Sequence, residues 1–240
     1  MKRTIYFTLA CTVLSFNSMG NHIMLDKANE CYHNQNYKQA AVWYQQLIDE
    51  GYENAALYYN AGNAYFRNNQ LGLAIKNYRL SLREKSNSIT YDNLNVARKA
   101  VVNSIPASNS TMHVVREWIN TINVNTWTAS SILFFFGLVI WIILKSLNRV
   151  KQSRWGVLLG ILYLTSTMGM ASTYYYQVIS YPMVVIQSKI EFKSLYTSGR
   201  AFLYDGTEVL FKREQGSNTL IELPNGEQGW VASNALARCN

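Results

Sequence analysis

The chain has 240 residues, 49% of them hydrophobic, and a formal net charge of +8. That is ample apolar material for one or two folded cores. The charge argues against a nucleic-acid partner, which needs basic groups spread over one folded face. Here the excess is concentrated in residues 1–20 and 145–154, both beside apolar runs.

Lys2 and Arg3 precede an apolar run from Ile5 to Phe16, followed by Ser18-Met19-Gly20. A basic start, a short apolar stretch and small residues after it predict a signal peptide over 1–20. Cys11 after Leu9-Ala10 is a weak lipoprotein box, because only a few apolar residues precede it. Cleaved or retained, this segment sends the residues beyond it across a membrane.

Residues 21–105 repeat themselves with a period of 34: Ala28 matches Gly62, Asn29 Asn63, Tyr32 Phe66, Ala40 Ala74 and Tyr44 Tyr78. The small residues mark where paired helices approach closely, and the tyrosines fill the space between them. The second copy, YYNAGNAYFRNNQLGLAIKNYRLSL, resembles a tetratricopeptide repeat. The resemblance implies an all-α solenoid of two repeats. Ser88–Ile105 comes next as a capping helix, with Leu94, Ala97, Val101 and Ile105 on one stripe. The resemblance also implies a concave face that holds peptides or proteins. Asn29, Tyr32, His33, Tyr59, Asn63, Phe66 and Arg67 are the positions that match that face. Packing of the same face against other parts of this chain is the alternative.

A linker with Ser-Ile-Pro-Ala-Ser-Asn-Ser opens 106–126, and Met112, Val115, Trp118, Ile119 and Ile122 then form a helical stripe. Such a stripe suits a helix lying on a membrane surface or packing on the repeats. Residues 127–147 and 155–177 predict two transmembrane helices. The charge-free run Trp127–Leu144 alone covers roughly 27 Å at 1.5 Å per residue. Between them, 148–154 is a basic loop. Lys145, Arg149, Lys151 and Arg154 supply four basic groups and no acidic one, which places the loop in the cytoplasm and both flanking segments outside. Gly156 and Gly160 form a GxxxG pair on the second span.

Residues 183–240 change to short β-rich runs (MVVIQ, IEFKSLY, TEVLFKRE, NTLIEL, QGWVAS) separated by Ser-Gly, Asp-Gly, Gly-Ser and Pro-Asn-Gly turns. LPNGEQGWVASNAL resembles the closing segment of bacterial SH3-like domains, implying a small all-β barrel that in related domains contacts cell-wall peptides. Trp230 is expected in its core. Lys193-Ser194 stands where those domains usually carry Arg-Ser. Cys31 and Cys239 are far apart in sequence, with no spacing that argues for a disulfide.

No nucleophile elbow, phosphate loop, HExxH or paired-carboxylate site occurs, and His22, His33 and His113 are scattered. Neither span holds an ionisable group fit for transport. No enzyme, metal site or cofactor is expected. The order of parts, with DNLNVARKA at the capping helix, resembles the BatE-like tetratricopeptide-repeat membrane proteins of the Bacteroides aerotolerance (Bat) family. That implies a multi-domain inner-membrane protein with both flanking domains periplasmic. It implies von Willebrand A-type Bat proteins as partners and a link to oxygen or stress tolerance. Two functions are expected as alternatives: a scaffold whose repeats bind proteins, or a tether whose tail binds peptidoglycan.

Overall fold

The computed structural model describes residues 23–103, 105, 124–147, 154–175, 179–196 and 201–239. The expected signal peptide, the stripe Met112–Ile122, Arg149 and Lys151 lie outside these residues. The chain begins with five helices: α1 (23–33), α2 (Tyr37–Asp49), α3 (Ala55–Arg67), α4 (Leu71–Glu84) and α5 (Ser88–Lys99). Three start on asparagine caps: Asn36 Oδ1 accepts from Gln39 N (3.3 Å), Asn54 from Leu57 N (2.8 Å) and Asn87 from Ile89 N (2.8 Å). Each cap is worth about 1 kcal/mol. Helix α4 is the exception, because the side chain at its capping position, Gln70, makes no capping bond to the helix.

Small residues set the spacing of the helices. Ala28, Ala40, Ala61 and Ala74 are fully buried, and the rings of Tyr44 and Tyr78 fill the gaps they leave. At Gly62 a Cβ would lie 2.7 Å from the Tyr78 ring, so the glycine is what lets α3 and α4 close. The stripe Leu94, Ala97 and Val101 is buried as its spacing predicts. The helix itself stops at Lys99, short of the expected Ile105. Asn103 takes φ 52°, which turns the chain, and Ile105 packs into the core of the β-rich unit.

That unit has seven strands: β1 (Pro182–Val185), β2 (Lys189–Ser194), β3 (Ala201–Tyr204), β4 (Glu208–Gln215), β5 (Asn218–Glu222), β6 (Gln228–Ala232) and β7 (Leu236–Arg238). They form one antiparallel sheet in the order β3-β2-β6-β5-β4-β1-β7, curled into a half-barrel. Phe192, Ile221, Val231, Leu203 and Val185 fill its concave side. Strands β3 and β7, four and three residues long, were not among the runs read from sequence. Trp230 differs from expectation too. Gly229 and Val231 are the buried neighbours on β6, so side-chain alternation sends Trp230 to the other face, half-exposed beneath Arg213.

The β unit docks on α4 and α5. Val184 and Cys239 are buried in the same cluster as Ile75, Tyr78 and Val101. Gly72 meets the backbone of Val185 so closely that no Cβ would fit. The turn Asp205-Gly206 enters at the start of α4, where Asp205 Oδ1 accepts from Gly72 N at 3.0 Å. A cap absent from α4's own sequence is thus supplied 133 residues away. Arg98 Nε and Nη2 donate to Glu208 at 2.7 and 3.2 Å, and Arg79 Nε donates to the same carboxylate. Cys31 and Cys239 are both free, the second buried at this interface with its thiol pushed up to about 12 by desolvation.

Two further helices, α6 (Val124–Ser146) and α7 (Trp155–Tyr174), are long and apolar enough to cross a membrane. They pack antiparallel. Gly156 takes the Trp141 ring, Gly169 takes Trp127, and the Ser130 and Ser166 hydroxyls share a hydrogen bond of 2.6 Å. Gly160 has nothing within 4 Å of where its Cβ would lie, so only half of the GxxxG pair seats the first helix. Large side chains such as Phe136, Ile140, Val157 and Leu164 point outward, as lipid-facing residues do.

Gly156→Leu should lower the stability of the solubilised protein by about 1–3 kcal/mol through overpacking against Trp141, while Gly160→Leu leaves it unchanged. Thermal unfolding in one detergent compares the two. Acid supplies a second prediction. Burial acts to raise the Glu208 carboxyl, but Arg79 and Arg98 outweigh it, and its pKa lies below the ordinary 4.5. Stability from this group is therefore complete above 4.5 and is lost as pH falls through its lowered folded value. Burial raises the Asp205 carboxyl, which titrates in the opposite sense and is common to wild type and variant. The stability advantage of wild type over Glu208→Gln should thus shrink as pH falls below 4.5, as denaturant titrations would record.

Candidate functional site

Helices α1, α3 and α5 line one concave face. The sequence pattern explains it: in each repeat the first helix carries its asparagine one position after the small residue, on the side away from the partner helix's core contact. Tyr44 Oη donates to Asn29 Oδ1 at 2.7 Å, and Tyr78 Oη donates to Asn63 Oδ1 at 2.8 Å. Both pairs are 15 residues apart, so the hydrogen bond recurs with the sequence period. Burial pushes the Tyr44 hydroxyl up to about 12 and raises Tyr78 as well, so both remain protonated donors at neutral pH.

The consequence is a fixed amide orientation. Asn63 Oδ1 is taken by Tyr78 and by Asn93 Nδ2 (3.1 Å), and Asn93 Nδ2 also reaches Tyr59 Oη at 3.2 Å. The Asn63 carboxamide N–H groups then have no partner among the described residues. They face a concavity of about 270 Å³ lined by Tyr32, Tyr59, Asn63, Phe66, Arg67, Tyr78, Asn93 and Val96. Arg67 lies with its guanidinium 4.7 Å over the Tyr37 ring, held without an acidic partner among the described residues. A second concavity of about 270 Å³ continues past Tyr59 to Ala55, Ala56, Ile89 and Lys85. Aromatic faces, oriented amide donors and cations line this surface.

Of the seven positions read from sequence, Tyr32, Tyr59, Asn63, Phe66 and Arg67 come together here. Asn29 lies in the adjoining repeat, occupied by Tyr44, and His33 is exposed at the edge, 6.4 Å from the Tyr32 ring. Tyr78, Asn93 and Val96 were missed. The available signal was the period itself, since 34 residues beyond Tyr59 is Asn93. Among the basic residues expected to set topology, Lys145 ends α6 over the Trp141 ring and Arg154 immediately precedes α7.

A separate, more open depression on the β unit is lined by Lys193, Gln215, Asn218 and Trp230. Among the described residues no group of three or more His, Cys, Asp or Glu side chains is placed to hold a metal ion. No protein-family model matches the chain, and no curated protein matches it in sequence.

Tyr78→Phe keeps the ring and removes one buried donor, so it should cost about 1 kcal/mol in chemical denaturation. The same change should free the Asn63 side-chain amide to rotate, visible as line broadening of its resonance; an unchanged resonance would contradict the fixed orientation.

Proposed function

We propose that the protein is a non-enzymatic scaffold of the bacterial inner membrane, whose periplasmic tetratricopeptide repeats bind partner proteins on their concave face. One observation carries the reading. The β unit occupies the outer side of α4 and the end of α5, while the concave face opposite keeps its oriented amides, aromatic rings and Arg67 uncovered by the described residues. Packing of the groove against the chain's own described segments is therefore disfavoured, and an external polypeptide is the partner it suits.

The membrane part of the reading is supported by the docking. The helical unit precedes α6 and the β unit comes after α7, yet the two share one hydrophobic cluster. A helical pair joining them must leave and return on the same side of a membrane. The basic residues between the helices favour the cytoplasm for the connecting loop, which puts both units outside. The curled half-barrel is compatible with an SH3-like domain. The resemblance to the Bat family proposes von Willebrand A-type membrane proteins as the partners and aerotolerance or stress as the setting.

Purification from membranes of the full chain and of a Tyr59→Ala, Asn63→Ala, Phe66→Ala variant tests the groove. The variant should lose its co-purifying proteins, and an identical set would refute the assignment. A reporter fused at Asn148 should read as cytoplasmic and one at Asn240 as exported. The second reading, a peptidoglycan tether, is favoured by the half-exposed Trp230 beside Lys193. It requires the solubilised full chain to co-sediment with purified peptidoglycan and Trp230→Ala to abolish this.

A further inference from the structure

We infer that Glu208 and the Asp205-Gly206 turn are positioning elements for the groove, acting through α5. Helix α5 has two working sides. Asn93 and Val96 line the concavity, where Asn93 ties Asn63 to Tyr59. Arg98 donates to Glu208, and Val101, just beyond the helix, packs against the turn. Residues 96 and 98 are two apart, about 200° round the helix, so the groove side and the docking side are opposed. A Cβ at Gly206 would lie 2.6 Å from Val101 and within 3.3 Å of Leu71 and Ile75, so the turn is wedged between the start of α4 and the end of α5. Gly206 holds φ +89°, a conformation other residues rarely adopt, and this keeps the wedge in shape.

The last helix of a stacked array lacks a neighbour on its outer side and frays unless something closes it. Here the closing element is a separate unit from the far end of the chain. Because α5 also supplies one wall of the groove, the position of that wall is set by the β unit. Loosening Glu208 moves Asn93 away from Asn63 and Tyr59 and widens the concavity, although neither Glu208 nor the Arg79 and Arg98 it holds lines the groove.

The inference rests on the groove reading for its functional consequence only, and its test needs no ligand. Hydrogen exchange is measured on the full chain in lipid nanodiscs, for wild type, Glu208→Gln and Glu208→Ala. A fluorinated tyrosine at position 59 reports on the groove. Exchange across 88–99 should accelerate roughly tenfold in Glu208→Ala, the loss expected for charge-assisted bonds, and less in Glu208→Gln, which keeps an acceptor. Exchange in α1 and α2 should stay as in wild type, and the fluorine signal of residue 59 should shift in step with α5. If Glu208→Ala does not fold, Glu208→Gln carries the comparison. Acceleration confined to β1 and β7 with α5 unchanged would overturn the inference. So would equal acceleration of all five helices, which marks general destabilisation. Failure of the groove to bind any protein would refute the scaffold reading and leave this result standing.

Discussion

Helix α4 starts without a cap of its own, and the arrangement outside the apolar helices depends on the turn that supplies one. The N–H groups at a helix start carry partial positive charge and must find an acceptor. At α2, α3 and α5 a local asparagine meets this need within three residues. At α4 the acceptor is Asp205, and the backbone at Gly72 is bare enough to let the β unit come close. Once the turn is seated, Val184 and Cys239 complete the cluster around Ile75 and Val101, and Glu208 comes within reach of two arginines. Removing either arginine would leave a half-buried carboxylate undercompensated, which is the larger part of such a pair's effect.

This docking relates the two apolar helices to the rest. Two units that share a core constrain the segment between them to be a hairpin. Pairing of α6 with α7 through Trp141 on Gly156 and Trp127 on Gly169 provides one. Two ring-on-glycine contacts and a serine pair bring the backbones of the hairpin together.

Much of this was legible in the chain, for definite physical reasons. Helix pairing left a period of 34 because each copy needs a small residue where backbones meet and a tyrosine to fill the gap. The apolar helices announced themselves by length, and strands β1, β2, β4, β5 and β6 as short β-rich runs between turns. What stayed hidden was non-local. Asp205 reads as an ordinary Asp-Gly turn and Glu208 as a polar residue at a strand start, and nothing within either segment points to α4. Trp230 was misjudged because a large aromatic in a β run suggests a core, whereas its side of the strand is decided by which neighbours face inward. Five of the eight residues lining the groove emerged from the repeat pattern; Tyr78 was read only as filling the gap between helices, and Asn93 and Val96 lay past the point where the visible periodicity ends.

The helical unit and the β unit should behave as one body although the apolar hairpin separates them in sequence. Native-state hydrogen exchange of the full chain in nanodiscs, monitored over a denaturant series, tests it directly. If the claim holds, the most protected amides of α4 and of β1 open together, with the same midpoint and the same denaturant dependence. Opening of β1 at lower denaturant, with α4 protection untouched, would contradict it.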